Sequence, residues 1–123
     1  MTTPSALAKY QALIDTLVER NECVLARRVR EGDLWPEQAT NSKFNALVAP
    51  LTQEQRNQLA ELLQSARNGG IHDVLAVLSE KMNLQNLKLV QGGEEILNEP
   101  YGTEIYYDWA ARSAGDDWPE NAG

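Results

Sequence analysis

The sequence predicts a mainly α-helical protein, a small helical bundle with one short β-hairpin. Apolar residues recur every three or four positions over most of the chain, which is the spacing of helices that bury one face. Around Gln91-Gly92-Gly93-Glu94 the pattern changes to short apolar runs flanking a glycine turn, as in a hairpin. The length of 123 residues predicts a single domain, residues 1–123, with residues 115–123 as a flexible tail.

The first predicted helix is long and runs to about Arg30. Its apolar stripe consists of Leu7, Tyr10, Leu13, Ile14, Leu17, Val18, Leu25 and Val29. Gly32 is expected to end this helix in the left-handed conformation. Cys23 lies on the helix as an inert, partly buried thiol, since its neighbours are not the cations that activate cysteine. Because the stripe is longer than so small a domain needs, it also predicts a homodimer through the first helix.

Three more helices are expected before the hairpin. Ser42 to Ala49 forms a short helix with Phe44, Leu47 and Val48 facing inward. Thr52 and Gln55 have the spacing of a capping box, which opens a helix up to Asn68. Gly69-Gly70 is expected to stop this helix, and His72 or Asp73 to start the next one, so that the two form a helical hairpin.

The last third of the chain combines the β-hairpin with a closing helix. The β-hairpin is predicted over Leu87 to Leu97. Thr103 is expected to cap a helix that extends to about Ala114 and is closed by Gly115. The predicted inward side chains are Ile105, Tyr106, Trp109 and Ala110, and the predicted outward ones are Glu104, Tyr107 and Asp108. Asp108 and Arg112 have the i, i+4 spacing of a helical ion pair.

The charge of the protein is concentrated in this last third. The chain has 11 basic and 18 acidic residues, a net charge of −7. Residues 1–90 contain ten of each sign, so the whole excess lies in residues 91–123, together with five of the eight aromatic residues. Such a surface repels phosphate backbones, which argues against nucleic acid and favours a basic protein partner. A solubilising acidic end with aromatic core residues is the simpler alternative.

The composition also limits the kind of chemistry and the location. His72 is the single histidine and Cys23 the single cysteine, so sites that need two histidines or a cysteine pair are excluded, and we predict no catalytic residue, cofactor or metal. For His72 itself we expect a helix-start or buried hydrogen-bonding role. The absence of a long apolar run and of a signal-peptide pattern predicts no membrane association, and the lone cysteine suits the cytoplasm.

One six-residue string occurs twice, as Gly32-Asp-Leu-Trp-Pro-Glu37 and Gly115-Asp-Asp-Trp-Pro-Glu120. Both copies follow a predicted helix. Glycine can end a helix, tryptophan can fold back onto apolar surface, and proline prevents the helix from resuming, so the string is interpreted as a helix stop. The alternative is that Trp35 and Trp118 are exposed anchors for a partner.

Two candidate sites follow from these patterns. The first is an acidic aromatic face that binds a protein partner, with Tyr101, Glu104, Tyr107, Asp108, Arg112, Asp116, Asp117 and Trp118. The second belongs to another functional class, a small-ligand or enzyme pocket formed by His72, Tyr101, Tyr106 and Arg112. A final helix that is merely held in place by its aromatic residues is the structural alternative to both.

Three strings in the second half of the chain are distinctive: Asn68-Gly-Gly-Ile-His-Asp-Val-Leu75, Tyr101-Gly-Thr-Glu-Ile-Tyr-Tyr-Asp-Trp109 and Gly115-Asp-Asp-Trp-Pro-Glu120. In these strings the chain resembles a family of small acidic bacterial proteins of unknown function. The resemblance implies a bacterial origin and supplies no catalytic residue. In size and acidity the chain is also similar to immunity proteins that neutralise basic toxins, which by analogy implies a basic protein partner.

Overall fold

The fold is mainly α with a minor β component, as the sequence predicts. The computed structural model describes residues 4–33, 35–36 and 41–120, with side chains from residue 6 onward. The elements in order are α1 (Pro4–Glu19), α2 (Val24–Glu31), α3 (Ser42–Val48), α4 (Gln53–Leu84), β1 (Leu89–Gln91), β2 (Glu94–Ile96) and α5 (Ile105–Ser113). None of the helices in these ranges combines the length and apolarity needed to cross a bilayer.

The chain divides into two compact units. Unit 1 consists of Met1–Asn21 and Gly70–Gly123, and unit 2 of Glu22–Gly69. The core of unit 1 is formed by the buried residues Tyr10, Ile14, Leu75, Ile96, Ile105 and Trp109. In this core α1 packs against α5 and β2. A smaller cluster of Cys23, Ala26 and Ala60, with Leu63 packed against it, lies in unit 2.

The predicted long first helix is wrong, because the chain leaves helical geometry between α1 and α2. The backbone N–H of Cys23 donates to Oε1 of Gln64 at 2.8 Å instead of continuing the helical ladder. Cys23 then has extended backbone and caps α2, where its sulfur accepts from the backbone N–H of Ala26 at 3.4 Å. The thiol was predicted to be partly buried within a helix, whereas Cys23 is buried and is the N-cap residue of α2.

The predicted helical hairpin is also wrong. α4 continues through Gly69 and Gly70, neither of which has a positive φ. His72 therefore lies within a helix and does not start one. The capping box at the beginning of α4 is confirmed: the backbone N–H of Thr52 donates to Oε1 of Gln55 at 2.9 Å, and the N–H of Gln55 donates to the Thr52 hydroxyl at 3.2 Å.

Exposure corrects the predicted orientation of several side chains. Val48 of α3 is buried, but Phe44 and Leu47 are exposed over 49% and 62% of their surface. Ala110 of α5 is also exposed, and Tyr106 is only partly buried. The N-cap of α5 is Glu104 instead of Thr103.

The β-hairpin is confirmed. β1 and β2 pair antiparallel, with Leu89 opposite Ile96 and Gln91 opposite Glu94. Gly92 and Gly93 connect the strands with φ values of 59° and 78°, which is the geometry of a two-residue type I′ turn. Lys9 of α1 joins the hairpin to the helix, since its Nζ lies 3.3 Å from both the carbonyl of Gln91 and a carboxylate oxygen of Glu94.

The repeated string ends a helix at both of its occurrences, as interpreted. Gly32 and Gly115 have φ values of 70° and 91°. The next residue then donates its backbone N–H to the helical carbonyl five positions back, from Asp33 to Arg28 at 2.9 Å and from Asp116 to Ala111 at 3.0 Å. These are the bonds of a Schellman motif. Leu34 and Glu37 of the first copy and residues 121–123 of the predicted tail lie outside the described residues.

Candidate binding cleft

A cleft of about 270 Å³ in unit 1 is formed by α5 and the segments on both sides of it. Gly102 and Gly115, both with positive φ, lie in these segments on either side of the helix. The structure brings seven of the eight predicted binding residues into its lining: Tyr101, Tyr107, Asp108, Arg112, Asp116, Asp117 and Trp118. Glu104 is not among the lining residues. That these residues bind a partner stays a prediction.

Asp108 occupies the most enclosed position of the cleft lining. This side chain was predicted to face outward, but only 4% of its surface is exposed. The Tyr10 hydroxyl donates to Oδ2 of Asp108, and the Thr103 hydroxyl donates to Oδ1 at 2.5 Å. Two hydroxyl donors thus compensate for the lost hydration of the carboxylate, because a buried acid must have hydrogen-bond partners.

Arg112 is bound by Asp15 of α1 and not by Asp108. Its Nε and Nη2 lie 2.9 and 3.2 Å from the two oxygens of Asp15, which is the bidentate geometry that guanidinium and carboxylate groups favour. These hydrogen bonds raise the pKa of Arg112 above its ordinary value. Nη1 donates to the backbone carbonyl of Asp116 at 2.9 Å and so holds the segment after α5 against the helix.

Trp118 is docked by aromatic and polar contacts. Its ring stacks on Tyr101 with a centroid distance of 5.5 Å and packs against Tyr10 at 6.1 Å. The Arg112 guanidinium lies 4.9 Å from the ring centroid, in cation–π contact. Its indole N–H donates to Asp15 at 3.3 Å. The second copy of the repeated string therefore places its tryptophan in the wall of the cleft, partly buried.

The residues of the alternative pocket are found in two places. His72 is half exposed and stacks on Tyr106, with ring centroids 4.9 Å apart and planes at 4°. Its Nδ1 lies 3.6 Å from a carboxylate oxygen of Asp73. The expected helix-start or buried role of His72 is therefore wrong, because the residue lies inside α4 and its ring is half exposed and stacked on Tyr106. Tyr101 and Arg112 line the cleft, whose lining includes neither His72 nor Tyr106.

Tyr10, Thr103 and Asp15 hold the cleft together but were not among the predicted site residues. Asp108 could have been placed by helical spacing alone, because Ile105, Asp108 and Trp109 lie at i, i+3 and i+4 and all three are buried. No signal in the sequence marks Asp15, which is one of two acids, with Glu19, on an amphipathic helix. In the described residues, His, Cys, Asp and Glu form no group of three that could hold a metal ion.

Tyr10 makes the stability of the protein sensitive to alkaline pH. Burial, and then the hydrogen bond to Asp108, raise the pKa of the Tyr10 hydroxyl above its ordinary value of 10.0. The unfolded chain therefore loses this proton first, so the free energy of unfolding is fully retained below pH 10 and falls as the pH rises above it. The expected slope is about 1.4 kcal/mol per pH unit.

The comparison with Tyr10→Phe tests this linkage. Urea unfolding of both proteins at a series of pH values between neutral and strongly alkaline would give the free energies. The wild type should lose stability more steeply than the variant above pH 10, by the slope of one proton. Parallel curves for the two proteins would contradict the assignment of the buried phenol.

The chain was compared with known families, curated proteins and solved structures. Neither the search of curated proteins nor the search of solved structures found a match. The model of a family of unknown function, DUF6547, matches residues 3–120, which is nearly the whole chain. The matched residues include nearly all of both units and every residue of the cleft. The match shows that the chain is a member of the family of unknown function DUF6547.

Proposed function

We propose that the protein is a non-enzymatic, cytoplasmic binding module that captures a basic protein through the cleft of unit 1. The observation that carries this proposal is the composition of the cleft lining. It contains the carboxylates of Asp108, Asp116 and Asp117 and a single guanidinium, that of Arg112. Because Arg112 is already paired with Asp15, the lining keeps an excess of negative charge that attracts a cationic side chain.

The aromatic residues of the cleft suit the contacts that dominate protein interfaces. Tyr107 is exposed over 59% of its surface, and Tyr101 and Trp118 line the same cleft as a stacked pair. Large aromatic side chains with a polar tip are enriched at interface hot spots, since they bury much area at a low entropic cost. A volume of about 270 Å³ fits a protein side chain better than a drug-sized ligand.

The two exposed acids of the cleft, Asp116 and Asp117, are called the acidic rim here, and they can be altered without disturbing the buried carboxylate of Asp108. Asp116→Lys with Asp117→Lys reverses two exposed charges and leaves Asp108 intact. Glu61→Lys with Glu80→Lys changes the net charge by the same amount at exposed positions outside the cleft lining. Basic proteins captured from bacterial lysate by the wild type would be identified by mass spectrometry. The purified partner would then be titrated against all three proteins by calorimetry at several salt concentrations.

The proposal predicts that only the rim variant loses binding. We expect its affinity to fall roughly a hundredfold at low salt, because two attractive charge contacts become repulsive. The Glu61→Lys, Glu80→Lys control should bind like the wild type. Equal loss in both variants would show that net charge alone attracts the partner, and undiminished binding by the rim variant would exclude the cleft.

A further inference from the structure

Unit 2 contains an apolar groove of about 360 Å³ that the proposed function does not use. α2 forms one wall with Leu25 and Val29, α3 forms another with Phe44 and Leu47, and the first half of α4 contributes Leu59 and Leu63. Trp35 also lines the groove, with its ring centroid 6.5 Å from that of Phe44. The groove is thus bordered by side chains from three helices.

The groove is lined by side chains that are exposed to solvent, and Asn45 fixes the backbone of Trp35. The buried Asn45 holds Trp35 at both backbone groups, accepting from its N–H at 2.9 Å and donating to its carbonyl at 2.8 Å. At the mouth, Leu25, Phe44 and Leu47 expose 43%, 49% and 62% of their surface. Large apolar side chains exposed side by side around a concave surface are typical of an interaction site.

α2 and α3 carry an excess of basic residues, although the protein as a whole is acidic. α2 contains three arginines and one glutamate, and α3 contains one lysine and no acid. Arg27 and Arg28 are ion-paired with Glu22 and Asp33 at 3.1 and 3.8 Å, so with these two acids included the net charge is +1. Two of these cations lie over the aromatic rings of the groove. The Arg28 guanidinium is 6.0 Å from the Trp35 centroid, and the Lys43 ammonium is 5.3 Å from the Phe44 centroid.

We infer that this groove docks an amphipathic helix of a partner protein, with large apolar residues on one face and acidic residues beside them. Helices bind in grooves between helices by inserting residues at i, i+3, i+4 and i+7. The excess of basic residues on α2 and α3 selects for acidic flanks. A docked helix is wide enough to cover the exposed side chains of Leu47 and Phe44. An acyl chain is thinner, so it would leave both side chains in water.

A designed peptide provides the probe. It is a helix-stabilised, fluorescent peptide of about 16 residues, with leucine at the inserting positions and glutamate on both flanks. A second peptide keeps the leucines and has lysine at every glutamate position. Binding would be measured by anisotropy with the wild type, Leu47→Ser and Lys43→Glu. Val77→Ser and Lys81→Glu are the matched controls, because both residues are exposed and lie outside the groove.

We expect saturable binding of the acidic peptide, at least roughly tenfold tighter than that of the basic peptide. Leu47→Ser should weaken binding roughly tenfold, since an apolar contact of this size is lost, and Lys43→Glu should reduce the preference for the acidic peptide. The two controls should bind like the wild type. Circular dichroism spectra would verify that the variants keep their helical content.

Several results would overturn the inference. They are absence of saturable binding, equal affinity for the two peptides, or a loss in Val77→Ser as large as that in Leu47→Ser. Displacement of the peptide by dodecanoate at concentrations below the peptide's own dissociation constant would assign the groove to an anionic amphiphile. A wild-type dimer in sedimentation equilibrium that Leu47→Ser makes monomeric would assign it to a second copy of the chain.

Discussion

Asp108→Ala is expected to lower the free energy of unfolding by about 3 kcal/mol. The substitution removes the carboxylate that accepts hydrogen bonds from Tyr10 and Thr103. The Tyr10 side chain is almost completely buried, so its hydroxyl would remain in the interior without an acceptor. An unsatisfied buried donor costs more than the net value of the bond that it made.

Urea unfolding followed by circular dichroism would measure this loss. Tyr10→Phe should cost less, about 1 to 2 kcal/mol, because the carboxylate keeps the Thr103 hydroxyl. The double variant should then lose less than the sum of the two single losses, as expected for directly bonded residues. Asp116→Ala, at an exposed acid of the same cleft, is the control and should change stability by no more than about 0.5 kcal/mol. If Asp108→Ala lowers the free energy of unfolding by no more than Asp116→Ala does, the Asp108 carboxylate is hydrated and the expected result is wrong.

Gly69→Ala combined with Gly70→Ala is expected to stabilise the protein by about 1 to 2 kcal/mol. Both glycines lie inside α4 without positive φ, and a Cβ built on either one meets no atom within 4 Å. Alanine would therefore restrict the unfolded chain without straining the helix. We expect the melting temperature to rise by about 5 °C in a thermal scan.

Gly93→Ala is the matched control for this pair. A Cβ at Gly93 also meets nothing within 4 Å, but its φ of 78° lies in the region that alanine avoids. The same substitution should therefore destabilise the protein by about 1 kcal/mol. If Gly69 and Gly70 instead ended a helix, as the sequence suggested, all three substitutions would be destabilising.

The features that were predicted correctly from the sequence depend on contacts between near neighbours. The capping box needs only Thr52 and Gln55, and the hairpin turn needs only Gly92 and Gly93. The two helix stops each use a glycine and a carbonyl a few positions before it. Local hydrogen bonds and local conformational preferences decide these elements, so a single sequence is sufficient to find them.

The errors arose where a distant residue decides the local structure. The break before α2 depends on Gln64, which is 41 positions away from Cys23. At Gly69-Gly70 the error has the other sign, since a helix end was predicted and the helix continues. Two weak helix formers are retained within α4 by the helical residues on either side of them. Intrinsic propensity is a weak preference of about 1 kcal/mol per residue, which longer-range packing overrides.

The residues that line the candidate cleft could be predicted from the sequence, but their hydrogen bonds to α1 could not. Acidic and aromatic residues close together in sequence indicated the surface, and the structure places seven of the eight on one cleft. The hydrogen bond from Tyr10 to Asp108 and the pairing of Arg112 with Asp15 could not be found in the same way. Both depend on α1, whose partner residues are 97 and 98 positions distant in the sequence.

This separation has a consequence for how the protein is made. A ribosome that adds about 5 to 20 residues per second delivers Asp108 on the order of 5 to 20 s after Tyr10. Unit 2 is continuous in sequence and emerges complete during that interval, whereas α1 has not yet met α5. The nascent α1 therefore lacks its partner α5 for seconds, and the contact between the two helices forms only after unit 2 has been synthesised.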